Sequence, residues 1–191
     1  MGKRPRGGKR MTSEEGKFLL KVARSAIERH LGGASLSPEE KGSHLSEKRG
    51  AFVTLHMRGS LRGCIGRVEA TEPIIQTVSQ MAIEAAFSDP RFLPLTAEEL
   101  PSIQLEISIL SPRTKIQSLE EIQIGRDGLL IEKGFRTGLL LPQVATENRW
   151  TKEEFLAYAC MKAGLSGDAW KEEGVTIYTF TAEIFSEESH V

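Results

Sequence analysis

The sequence predicts an α+β fold, a mostly antiparallel or mixed sheet with helices packed on it. The elements read helix, hairpin, helix, strand, hairpin, helix, strand, so strands and helices do not alternate singly as in a parallel βαβ chain. The stretch SIQLEISIL (102–110) alternates apolar and polar residues, the period of a strand with one buried face. Two pairs of short apolar runs separated by glycine-containing turns read as hairpins. No exact repeat is visible, but hairpin–helix–strand occurs twice.

The first helix is expected over residues 12–31. Thr12 and Glu15 have capping-box spacing, and Phe18, Leu19, Val22, Ala23, Ala26 and Ile27 form one apolar stripe. Residues 32–50 are rich in turn formers and charge and read as a long surface connection. AFVTLHM and LRGCIGRV follow as strands around Arg58-Gly59-Ser60. Thr71-Glu72-Pro73 opens a second helix, which ends near Phe87, and SDPRFLPL is a proline-punctuated loop. Thr96 and Glu99 repeat the capping-box spacing before a short helical turn. Beyond the strand at 102–110, a second hairpin lies within GRDGLLIEKGFRTGLLLP. Thr151 and Glu154 cap a further helix that stops at Gly164, and one last strand is expected within 175–185.

A chain of 191 residues can bury one sizeable core, or one core with a small lobe attached. The first ten residues hold five basic and no acidic side chains, and residues 1–11 read as a disordered basic tail. The remainder carries 20 basic against 26 acidic residues, a balance of −6. That argues against nucleic acid as the main partner of the folded part. No run approaches the roughly 18 apolar residues a membrane span requires. Two distant cysteines, Cys64 and Cys160, make neither a disulfide framework nor a zinc site, and they suit a reducing cytoplasm. His30, His44 and His190 show no ligand spacing, so neither metal nor cofactor is expected.

The hexapeptide LRGCIG (61–66) contains a conflict. Leu61 and Ile65 suit a buried strand, Gly63 and Gly66 weaken one, and Arg62 is costly to bury without a partner. Such conflicts mark places where something approaches the backbone closely. The neighbours of Cys64 depend on hairpin register. A two-residue loop sets it among Val53, Leu55 and Met57, a three-residue loop beside Thr54 and His56. Cys64 therefore reads either as a packed core thiol or as a functional thiol activated by Arg62 and Arg67, with His56 a weaker candidate base. Cys160 reads as a packing residue. Asp89 and Arg91 form either a local ion pair at a helix stop or the rigid corner of a pocket. Glu106, on the polar side of its strand, is a candidate partner for Arg62 or Arg91. Convergence of these groups would suit a small anionic or amide-bearing ligand.

GAFVTLHMRGSLRGCIGRVEA, AAFSDPRFLPLTAEEL, LEISIL, GRDGLLIEKG, GLLLPQVATENRW and KAGLSGDAW, in this order over about 13–187, resemble the AMMECR domain family, which includes AmmeMemoRadiSam system protein A. The resemblance implies a single domain over 12–187 with a larger and a smaller lobe, the hexapeptide at or near a cleft between them, and residues 188–191 as a C-terminal tail. It also implies Memo-type and radical SAM partners. With no evident triad, metal set or phosphate loop, the leading expectation is a non-catalytic binding or scaffold component. There Gly63 and Gly66 would let the hairpin pack closely against a partner or lobe, Arg62 would form a structural ion pair and Cys64 would be filler. The alternative is a thiol-dependent enzyme in which Cys64 attacks a substrate held in the cleft, with Arg62 positioning an anion and Asp89, Arg91 and Glu106 lining the ligand pocket.

Overall fold

The computed structural model describes residues 10–33, 44–69 and 71–187. The tails expected at 1–9 and 188–191 lie outside them. The chain forms two compact units. One comprises the described residues of 10–110 with 183–187, the other residues 111–182.

The first unit opens with α1 (Ser13–His30), capped by the Thr12–Glu15 box. Met11, assigned to the tail from sequence, is buried, and its backbone N–H donates to Glu183 Oε2 at 2.9 Å. The connection after α1 is not all surface: Leu45 is fully buried in the core and Arg49 is buried. Arg49 reaches the Leu110 carbonyl and Glu183. Then come β1 (Ala51–Met57), β2 (Ser60–Arg67), α2 (Ile74–Phe87) and β3 (Ile103–Leu110). Both helices lie on the side of Val53, Leu55, Leu105 and Ile107, closing a core with Leu19, Ile27 and Met81.

The second unit contains β4 (Thr114–Lys115), β5 (Gly128–Lys133), β6 (Arg136–Leu140), α3 (Pro142–Glu147), α4 (Lys152–Lys162) and β7 (Thr176–Phe180). Its core gathers Leu129, Ile131, Phe155 and Leu156, with Cys160 fully buried. The single strand expected at 175–185 is two. β7 joins this sheet, in order β4-β7-β5-β6, and β8 (Ala182–Ser186) joins the other, in order β2-β1-β3-β8. Thr181 separates them, its N–H and C=O both bonded to Ser111. Among the described residues no helix is long and apolar enough to cross a membrane.

Candidate functional site

The hairpin that carries the hexapeptide turns on Arg58 and Gly59, both at positive φ (52° and 77°). Two such residues make the turn whose twist matches that of the flanking strands. The loop is thus a two-residue one, pairing Met57 with Ser60 and His56 with Leu61. Continued unbroken, this register would set Cys64 opposite Val53. Instead it shifts between Leu55 and His56, and Leu55 pairs with Gly63, Thr54 with Cys64. Arg62 is the extra residue of the bulge. The bulge therefore combines the shorter loop with the face expected of the longer one.

The two glycines do different work. Gly63 lies opposite Leu55, and a Cβ there would stand 2.2 Å from the Ala85 carbonyl oxygen of α2. β2 can approach the helix this closely only without a side chain. Gly66 lies opposite Phe52, whose ring occupies the space a Cβ would take, 2.2 Å away.

Asp89 follows the end of α2 and is 4% exposed. Its Oδ2 accepts the Cys64 N–H at 2.9 Å. Arg91 grips the same carboxylate with Nε (2.9 Å) and Nη2 (2.6 Å), and its own N–H donates to Oδ1 at 3.1 Å. The Arg91 Nη2 also donates to the Cys64 carbonyl at 3.2 Å. Since β2 is an edge strand, its outward N–H and C=O at Cys64 have no strand to pair with. One carboxylate and one guanidinium supply an acceptor and a donor in that strand's place. The Arg91 guanidinium, helped by the two backbone N–H groups, holds the Asp89 carboxyl well below the usual carboxylate range, against the opposing effect of burial.

Arg62 is also buried and paired. Its Nε and Nη2 donate to the two oxygens of Glu99 at 3.0 and 2.8 Å, and Glu99 accepts the Thr96 N–H as well. The hydrogen bond from Arg62 lowers the Glu99 pKa. The Phe92 ring lies 5.9 Å from the Arg62 guanidinium carbon and 5.5 Å from that of Arg91. Arg62 is thus bound to Glu99 and Arg91 to Asp89, while Glu106, the candidate partner named from sequence, lies on the rung of Thr54 and Cys64. Sequence reasoning missed Glu99 and Phe92 as members of the site, whereas Thr54 is the neighbour of Cys64 that one of the two registers gave. The Thr96–Glu99 spacing was the signal for Glu99, which accepts the Thr96 N–H and binds Arg62 as well.

Cys64, Thr54 and Glu106 form one rung across β2, β1 and β3. The Thr54 hydroxyl donates to Cys64 Sγ at 3.2 Å. Burial raises the thiol pKa, the nearby carboxylates of Asp89 and Glu106 add to the rise, and the Thr54 hydrogen bond and the Arg91 charge only partly offset it. The expected activation by Arg62 and Arg67 is absent: Arg62 serves Glu99, and Arg67 bonds Gln80 and faces Glu72. His56, paired with Leu61 and Gln104, makes no hydrogen bond to Cys64 among the described residues. Ile65 packs on the core opposite Val53, whereas Leu61 is 42% exposed. Among the described residues no cluster of three His, Cys, Asp or Glu side chains could hold a metal ion.

A sequence model of the AMMECR1 family matches residues 20–185. Protein MJ0810 of Methanocaldococcus jannaschii is 50% identical over 185 residues, covering 93% of this chain and 92% of its own. Protein PF1979 of Pyrococcus furiosus is 46% identical, covering 94% and 91%. The crystal structure of uncharacterized protein PH0010 from Pyrococcus horikoshii matches with a TM-score of 0.87 at 43% identity, covering 93% of this chain and 94% of that one.

Proposed function

The chain belongs to the AMMECR1 family, and from the site it carries we propose that it is a non-catalytic binding component whose hexapeptide builds a rigid sheet edge. The observation that carries this reading is the commitment of the charged groups. Asp89 and Arg91 complete the backbone of Cys64, and Arg62 is bound to Glu99. A thiol nucleophile needs a depressed pKa or an adjacent base, whereas burial moves the Cys64 thiol the other way.

The partners proposed are the Memo-type and radical SAM proteins that the family resemblance implies. The edge offers them exposed apolar groups, Leu61 in the strand and Leu93 two residues beyond Arg91, the latter 83% exposed. Two free cysteines support a cytoplasmic location. Calorimetric titration of a purified Memo-type protein into the full chain tests the reading. Cys64→Ser is expected to bind within about twofold of the parent, and Leu61→Asp with Leu93→Asp at least about tenfold more weakly. Loss of binding in Cys64→Ser alone, or no effect of the leucine changes, would overturn it.

A second reading, a thiol-dependent enzyme acting on a small anionic or amide substrate, is favoured by the Thr54 hydroxyl and the Arg91 charge, both of which stabilise a thiolate at Cys64. It requires that the thiol react faster than an ordinary cysteine at neutral pH.

A further inference from the structure

A cavity of about 1160 Å³ lies along α1 in the first unit and contains no hexapeptide residue. Lys17, Lys21 and Arg24 line it from one face of α1, at the three- and four-residue spacing that sets side chains above one another. Arg58, in the β1–β2 turn, adds a fourth cation. Arg24 belongs to the framework. It clasps Glu187 with Nε at 2.7 Å and Nη2 at 2.6 Å and donates to the carbonyls of Leu100 and Ile103. Glu187 in turn accepts the Leu105 N–H.

The other three cations, Lys17, Lys21 and Arg58, make no ion pair or hydrogen bond among the described residues. Of the acidic lining residues, Glu187 is matched by Arg24, which leaves Glu14 alone against three positive charges. Beyond its first ten residues the chain carries a net −6, so this concentration of positive charge runs against the overall balance. The cavity also exceeds the roughly 300–1,000 Å³ of a small-molecule pocket and fits a length of chain. Lys17 and Lys21 are separated by about 6 Å along the helix axis. In an extended peptide, side chains two residues apart lie on one face about 6.8 Å apart. Phe18 and Pro101 supply apolar lining for the residue between.

We propose that this groove binds an extended acidic segment of a partner protein, with carboxylates at alternate positions engaging Lys17 and Lys21 and a further one engaging Arg58. No hexapeptide residue lines the groove, and Lys17 and Lys21 lie on α1, so either site can fail without the other.

The test is fluorescence anisotropy of a labelled heptapeptide alternating glutamate and leucine, titrated with the full chain. Its glutamine counterpart and a single-stranded oligonucleotide of equal charge serve as competitors. Saturable, salt-weakened binding is expected, at least about tenfold tighter than for the glutamine peptide. Lys17→Glu with Lys21→Glu should weaken it at least about tenfold, while Lys115→Glu with Lys162→Glu, an equal charge change elsewhere, leaves it unchanged. Lys17→Ala with Lys21→Ala should give an intermediate loss. Thermal unfolding of each variant distinguishes lost binding from lost structure. No binding to the parent, equal binding of the glutamine peptide, or indifference to both lysine pairs would overturn the proposal. Tighter binding of the oligonucleotide at the same lysines would overturn it in favour of a general polyanion groove.

Discussion

Residues 51–110 run hairpin, helix, strand and residues 128–180 run hairpin, two helices, strand, and each sets its strands in the same order, β2-β1-β3 in one unit and β6-β5-β7 in the other. Both edge strands carry a glycine pressed on a helix backbone. At Gly63 a Cβ would stand 2.2 Å from the Ala85 carbonyl oxygen, and at Gly138 it would stand 2.3 Å from that of Ala159. Gly63 pairs with Leu55 and Gly138 with Ile131, both core residues of the middle strand. The next residues differ. Cys64 is clamped by Asp89 and Arg91, while its counterpart is Leu139. Close strand–helix packing is thus common to both units and explains the glycine. What is particular to the hexapeptide lies in its arginine, its cysteine and the acid that holds its edge.

The comparison can be broken most forcefully at the glycines. Gly63→Val and Gly138→Val should each cost about 3 kcal/mol or prevent folding, because a backbone carbonyl cannot swing aside as a side-chain end can. Gly66→Val meets the Phe52 ring first, a side chain that can turn, and should cost less, about 2 kcal/mol. Urea unfolding checks both, and equal losses at Gly63 and Gly66 would contradict the distinction between backbone and ring. Next comes Asp89→Ala, which strands the Cys64 N–H and should cost about 2 kcal/mol. Arg91→Ala leaves the buried Asp89 carboxylate without its counter-charge and should cost a similar amount, about 2 kcal/mol.

A third effect is acid sensitivity. In Glu15, burial would raise the pKa, but bonds from His44 and Thr12 outweigh it and bring the value down to about 2 from an ordinary 4.5. Asp89 is likewise lowered, chiefly by Arg91. Carboxyls lowered by folding contribute stability that is complete above their unfolded values and lost as pH falls through their folded ones. The melting temperature should therefore drop as pH is lowered from about 4.5 to 2. Glu15→Gln should flatten part of that drop, and an unchanged profile would remove Glu15 from the account. The smallest effect is expected for Cys64→Ser, a near-isosteric change worth less than about 1 kcal/mol in thermal or urea unfolding.

Most elements were legible because their signals are local. The alternation of 103–110, the Thr12 and Thr151 caps and the Arg58-Gly59 turn each depend on a few neighbouring residues. The site was legible in part. Arg62, Cys64, Asp89 and Arg91 stood out as chemical oddities, but their pairings did not. Pairing register belongs to two strands at once, and here it is shifted at Arg62, whose partner Glu99 lies 37 residues away. Leu45 gave no signal because one apolar residue in a polar connection has no period. The split at Thr181 was hidden because β7 and β8 together read as one β-rich run.

Cys64 is held by its surroundings rather than activated by them. This is tested most directly by the alkylation rate of Cys64 against pH in the folded full chain, with the fully buried Cys160 as internal control. A midpoint above the roughly 8.5 of a free cysteine and a rate below that of an unfolded reference peptide are expected. A midpoint well below that value, with rapid labelling at neutral pH, would contradict this and make Cys64 a nucleophile.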